Sequence, residues 1–207
     1  MKYVFRIVNA LLAAAIFPAV IFFEFILIRV STTLVDAGLE ESFTIKFFID
    51  VFTGKETFWS NLLPDSGTFT WPEVLDPIKS KLIAVVILFA VALIAALFVF
   101  IWSICSNKRI PVIVASVVGI ASTVAMTVVF NSAAEFVMNG NINVVEIFSS
   151  SWLVSLLGNL VIVDYLGFAG FQNAIIILFI GIIVWTLAFC LVEIGETKEE
   201  KVKKKKH

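Results

Sequence analysis

The stretch 82-LIAVVILFAVALIAALFVFIWSIC-105, with the turn 106-SNKR-109 and then Ile110-Pro111 behind it, decides the fold. Its twenty-four residues contain one polar side chain before the end, Ser103. A helix needs ~20 apolar residues to cross a hydrocarbon layer ~30 Å thick, so this stretch spans. The turn Ser106-Asn107-Lys108-Arg109 is too short to do more than reverse the chain. The next apolar run, Ile110 to about Phe130, therefore returns as the second arm of an antiparallel helical hairpin, and Pro111 is tolerated in its first turn.

Working outward from the hairpin, two further runs qualify. One is the N-terminal segment 1–30, apolar from about Ile7 to Val30 and interrupted by Asn9, Pro18, Glu24 and Arg29. Lys2 and Arg6 precede it as they would precede a signal peptide, but the run is far longer than the 7–15 residues of a signal core. The other is 174–192, followed by a basic tail at 193–207. Composition agrees: 60% of the 207 residues are hydrophobic and 15% are charged, and the mean hydropathy is +1.05. Such a chain is neither a water-soluble globule nor a disordered polymer. The expected fold is an all-α integral membrane protein, a four-transmembrane-helix bundle. Its two outer loops, 31–81 and 131–173, would form a small cap containing amphipathic helices.

Basic residues set the orientation. Lys2, Arg6, Lys108, Arg109, Lys198, Lys201 and Lys203 to Lys206 lie on the side of the termini and the 106–109 turn. Only Arg29, Lys46, Lys55, Lys79 and Lys81 lie on the other, spread over much longer loops. Both termini are expected in the cytoplasm, in a multi-pass protein of the plasma membrane. The outer loops are acidic, with eight acids against four lysines in 31–81 and Glu135, Glu146 and Asp164 without a base in 131–173. No calcium-like ligand spacing accompanies them, so charge bias across the membrane explains them.

In the first loop, Phe43, Phe47 and Val51, with Ile45, Phe48 and Phe52, recur at helical spacing. Residues 39–53 read as an amphipathic helix ended by Gly54, lying in the headgroups or against the protein's own loop core. Trp59 and Trp71, among three prolines, suit an irregular interfacial segment. In the second loop, Ser151, Ser155 and Asn159 recur every four residues opposite Leu153, Leu156, Leu157 and Leu160, as in an amphipathic helix of about fifteen residues. The stretch 159–164 reads alternatively as a strand, because Val161-Ile162-Val163 favour β structure.

Little chemistry is offered. The two cysteines, Cys105 and Cys190, are far apart in sequence, and the single histidine, His207, is the last residue. That excludes a CxxC redox centre, a histidine metal or haem site and a histidine-based triad. A phosphate-cradling glycine loop is missing as well. No cofactor, no metal and no nucleic acid are expected. Glu24 is the most suggestive residue, because an ionisable group at membrane depth is a functional candidate. The preferred alternative sets the bilayer edge near Phe23 and leaves Glu24 among headgroups. Asn9 and Asn131 are the other polar candidates within the spans. In the third span Ala115, Gly119 and Ser122 form a small-residue stripe of the kind that lets helix backbones approach.

Four spans, inside termini and a larger first outer loop resemble the claudin layout. The Trp-Gly-Leu-Trp signature with its two cysteines is missing, as is the tetraspanin Cys-Cys-Gly motif. The resemblance ends at topology, and no family is recognised. The leading functional expectation is a non-catalytic membrane subunit or assembly protein. Its partners would be membrane lipids and another membrane chain or a second copy, docked through Phe43, Phe47, Phe48, Phe52, Trp59, Trp71 and Trp152. A small transporter or channel component using Glu24, Asn9 and Asn131 is the second expectation, and a lipid-acting enzyme with outer carboxylates the third.

Overall fold

The computed structural model describes residues 2–32, 35–46, 76–141 and 161–204. In chain order these are helix α1 (Lys2–Phe22), strands β1 (Glu24–Thr32) and β2 (Val35–Thr44), helix α2 (Asp76–Cys105) and helix α3 (Ile110–Phe136). A π-helical turn (Val137–Asn141), strand β3 (Val161–Phe168) and helix α4 (Phe171–Lys204) follow. All four helices contain stretches long and apolar enough to cross a membrane. At 1.5 Å per residue α1 is about 32 Å long and α2 about 45 Å.

The all-α expectation is corrected to a mostly helical chain carrying one small sheet. The strand order is β2-β1-β3, antiparallel throughout. The first span does not run on to Val30. Helix α1 stops at Phe22, and Ile26, Ile28, Val30 and Thr32 place a β-branched residue at every second position of β1. Such side chains fit a pleated surface better than a helix. The start of the amphipathic helix expected at 39–53 is corrected likewise; Ile45 and Lys46 are helical, and 47–53 lie outside the described residues. Residues up to Thr44 belong to β2, where Leu39 pairs with Val30 and Phe43 with Ile26. Up to Thr44, backbone pairing to β1 outweighed helical spacing, in a segment where Gly38, Ser42 and Thr44 are poor helix formers. Phe47, Phe48, Phe52, Trp59, Trp71 and Trp152 lie outside the described residues. Of the two readings of 159–164, the strand is the one found from Val161 onward.

Two compact units emerge, each considered separately. The first comprises the described residues within Met1–Pro18, Ala90–Thr123 and Asn173–His207. Here segments of all four helices pack on one another. The buried positions include Phe5, Asn9, Ala13 and Ile16 on α1, and Ala92, Ala96, Val99 and Ser103 on α2. Those on α3 include Val112, Ser116, Ser122 and Thr123, and those on α4 are Ile175, Phe179, Ile182, Thr186 and Phe189. Each set recurs every three or four residues, one face of a helix. The opposite faces are apolar too, with Ile94 64% and Ile177 66% exposed. Water does not tolerate so much contiguous apolar surface, whereas hydrocarbon solvates it. These are the helices of a multi-pass membrane protein.

The second unit comprises the described residues within Ala19–Phe89 and Val124–Gln172. Its core is aromatic. The Phe130 and Phe168 rings stack with centroids 4.1 Å apart, Phe171 stands edge-on to Phe168 at 5.1 Å, and Phe25 lies 4.5 Å from Phe171. Ile78, Ala133 and Val137 form a second buried cluster, with Leu82, Phe136 and Leu166 against it. Where α3 passes into the π-helical turn, Lys81 Nζ donates to the Ser132 carbonyl at 3.0 Å and to its hydroxyl at 2.8 Å, tying α2 to α3. Between β3 and α4 the chain turns at Gly170, whose φ is 129° and whose N–H donates to Gln172 Oε1 at 3.1 Å.

Candidate functional site

Among the described residues, polar side chains at membrane depth concentrate in the first unit. Residues 4–22, 82–105, 110–134 and 171–192 contain one charged side chain, Arg6. Its position follows from the end of α2. The last four carbonyls of any helix lack an intrahelical donor. Of these, Trp102 O is taken by Ser106 N at 2.8 Å, and Ser103 O accepts Arg6 Nε at 3.0 Å. A guanidinium at a helix C-terminus also meets the negative end of the helix dipole. The turn is closed by Trp102 Nε1, which donates to Lys108 O at 3.1 Å, and by the Lys108 N–H to Ser106 Oγ at 3.2 Å. Beside it the Arg109 guanidinium lies over two rings, 5.4 Å from the Phe5 centroid and 5.2 Å from that of Phe189. The rings themselves are 5.2 Å apart.

One turn deeper along α1, Asn9 is fully buried and donates through Nδ2 to Thr186 Oγ1 at 3.1 Å, linking α1 to α4. Asn9 Oδ1, Ser103 Oγ and Trp185 Nε1 are buried and have no hydrogen-bond partner among the described residues. Two other buried hydroxyls turn back on their own helix: Ser116 Oγ donates to Val112 O and Thr123 Oγ1 to Gly119 O, both at 2.8 Å. Gly119 lies against the outer end of the Phe179 ring, so close that a Cβ there would fall inside the ring's contact distance. Gly119 therefore admits the Phe179 ring to the α3 backbone.

The sequence candidates are scattered by comparison. Glu24 lies beyond the end of α1, exposed at the first position of β1. The apolar residues after it belong to a strand, not to a helix. Asn131 is exposed on α3 and lies in the other unit from Asn9. In the small-residue stripe Gly119 and Ser122 are buried, whereas Ala115 is half-buried and its neighbour Ser116 is the fully buried one. Sequence reading missed Ser103 and Thr186. Each is a lone hydroxyl residue in an otherwise apolar run, and that isolation was the available signal.

No group of three metal-ligating side chains occurs among the described residues. Cys105 and Cys190 are free thiols. The polar set of Arg6, Asn9, Ser103 and Thr186 can join helices and receive hydrogen bonds, but it contains no acid or base that exchanges protons near neutral pH. Comparison with protein families, with curated proteins and with solved structures finds no match for the chain.

Proposed function

We propose that the chain is a non-catalytic integral membrane subunit or assembly protein of the plasma membrane, with both termini in the cytoplasm and with its outer segments docking a partner. One observation carries the reading. The apolar stretches 4–22, 82–105, 110–134 and 171–192 hold a single charge between them, Arg6, and polar side chains there join helices, as in Arg6 to Ser103 and Asn9 to Thr186. Proton-coupled transport and hydrolysis both need titratable groups at the working depth. A scaffold needs only packing. The aromatic residues of the outer segments, Phe43, Phe47, Phe48, Phe52, Trp59, Trp71 and Trp152, supply the docking surface in this reading.

A transporter or channel component is the second reading, favoured by the unpaired, fully buried Asn9 Oδ1. Mass spectrometry of the intact assembly extracted from its native membrane separates the two. A subunit emerges with a stoichiometric second chain or copy, and Phe47→Ser with Phe48→Ser removes it while helical content is kept. A chain that emerges alone and, reconstituted alone in vesicles, moves a solute or turns over a lipid defeats the scaffold reading.

A further inference from the structure

Between α1 and α2 runs an open groove of 320 Å³, lined by Arg6, Ile7, Ala10, Leu11, Phe100 and Ile104. Ile7, Leu11 and Ile104 are exposed and Ala10 is buried, so the groove is an apolar trough on the lipid-facing side. Arg6 lies at one end in the sequence order of α1, about 7.5 Å along the helix from Leu11. Its Nε is committed to Ser103 O, which holds the guanidinium to the groove. The four remaining N–H donors have no partner among the described residues, and an arginine does not shed its charge in protein. Nor is there an acid within residues 1–18 or 90–105, the segments that contribute the two walls. A fixed cation at the rim of a hydrocarbon-lined trough calls for an anion joined to an alkyl chain.

We propose that this groove is a binding site for one anionic phospholipid, with an acyl chain along Ile7, Ala10, Leu11, Phe100 and Ile104 and the phosphate on Arg6. The two walls carry no carboxylate of their own, which disfavours headgroups with a balancing cation, because choline or ethanolamine would find no counter-charge there. A second groove of 350 Å³ supplies the internal contrast. It is lined by Val91, Ile94, Ala95, Phe98, Pro111, Val114, Ala115 and Val118, without a charged residue, and takes acyl chains with no regard to headgroup.

The test counts lipids retained by the purified full-length chain in intact-protein mass spectrometry, from an equimolar mixture of phosphatidylglycerol and phosphatidylcholine with identical acyl chains. The wild type retains one phosphatidylglycerol with a preference of about five-fold, the factor that one basic residue contributes near an anionic surface. Arg6→Gln, whose amide still donates to Ser103 O, brings the preference close to one. Ala10→Leu, which fills the trough and keeps the charge, removes the selective adduct, whereas Ala115→Leu in the second groove leaves it. Soluble glycerol phosphate at the same concentration does not displace it. A wild type without preference, a preference that survives Arg6→Gln or Ala10→Leu, or displacement by glycerol phosphate overturns the proposal. If Arg6→Gln does not fold, the Ala10→Leu comparison decides alone.

Discussion

At Gly119 the absence of a side chain is what lets the Phe179 ring reach α3. An alanine there gains about 1 kcal/mol in helix propensity and loses about 1–3 kcal/mol to overpacking, so Gly119→Ala is expected to destabilise on balance and Gly119→Leu more severely. Gly181 is the control. A Cβ at that position meets Leu12 Cδ1 at 3.8 Å, an ordinary contact, so Gly181→Ala is expected to be neutral or stabilising. Thermal unfolding of both variants in the same detergent checks the contrast. Equal effects contradict it, as does a Gly119→Ala/Phe179→Leu double variant whose loss is the plain sum of the two single losses, since contacting residues couple. Sequence alone pointed to Gly119 as a packing residue but not to its partner, because nothing local marks one phenylalanine among 21.

The turn from β3 into α4 depends on one backbone conformation. Gly170 has φ 129°, a region that side-chain-bearing residues rarely adopt, and no heavy atom lies within 4 Å of where its Cβ would stand. Gly170→Ala is therefore expected to cost about 1–3 kcal/mol from backbone strain alone. Unfolding of this variant beside wild type checks it, and an unchanged midpoint contradicts it. Elements were unevenly legible in the sequence. The four helices declared themselves because membrane-length apolar runs have few other solutions. The strands did not, because a short run such as Phe25-Ile26-Leu27-Ile28 reads equally as helix end or buried strand until its partners are known. At 39–44 three- and four-residue spacing pointed to a helix, and pairing with β1, a non-local fact, overrode it.

For the molecule as a whole, the inner faces of the helices could not be read by amphipathicity, since the outer faces are as apolar as the inner. On α2 small and polar residues mark the inside, with Ala92, Ala96 and Ser103 buried while Ile94, Leu97 and Ile101 face out; on α4 the inside is instead large, with Ile175, Phe179 and Ile182 buried. Lipid gives helices no hydrophobic drive to associate, so close backbone approach and interhelical hydrogen bonds take over, the latter worth about 0.6 kcal/mol each on average. Asn9 to Thr186 is such a bond, and its partners are 177 positions apart in sequence. A chain built in this way should cross the membrane four times and return both ends to the cytoplasm. Cysteine accessibility in intact cells measures that directly. In a background with Cys105→Ser and Cys190→Ser, Ser66→Cys and Ser150→Cys are predicted to react with an impermeant thiol reagent from outside, and Asn107→Cys only after permeabilisation. Labelling of Asn107→Cys in intact cells, or shielding of Ser66→Cys and Ser150→Cys until the membrane is opened, would contradict the four-span arrangement with both termini inside.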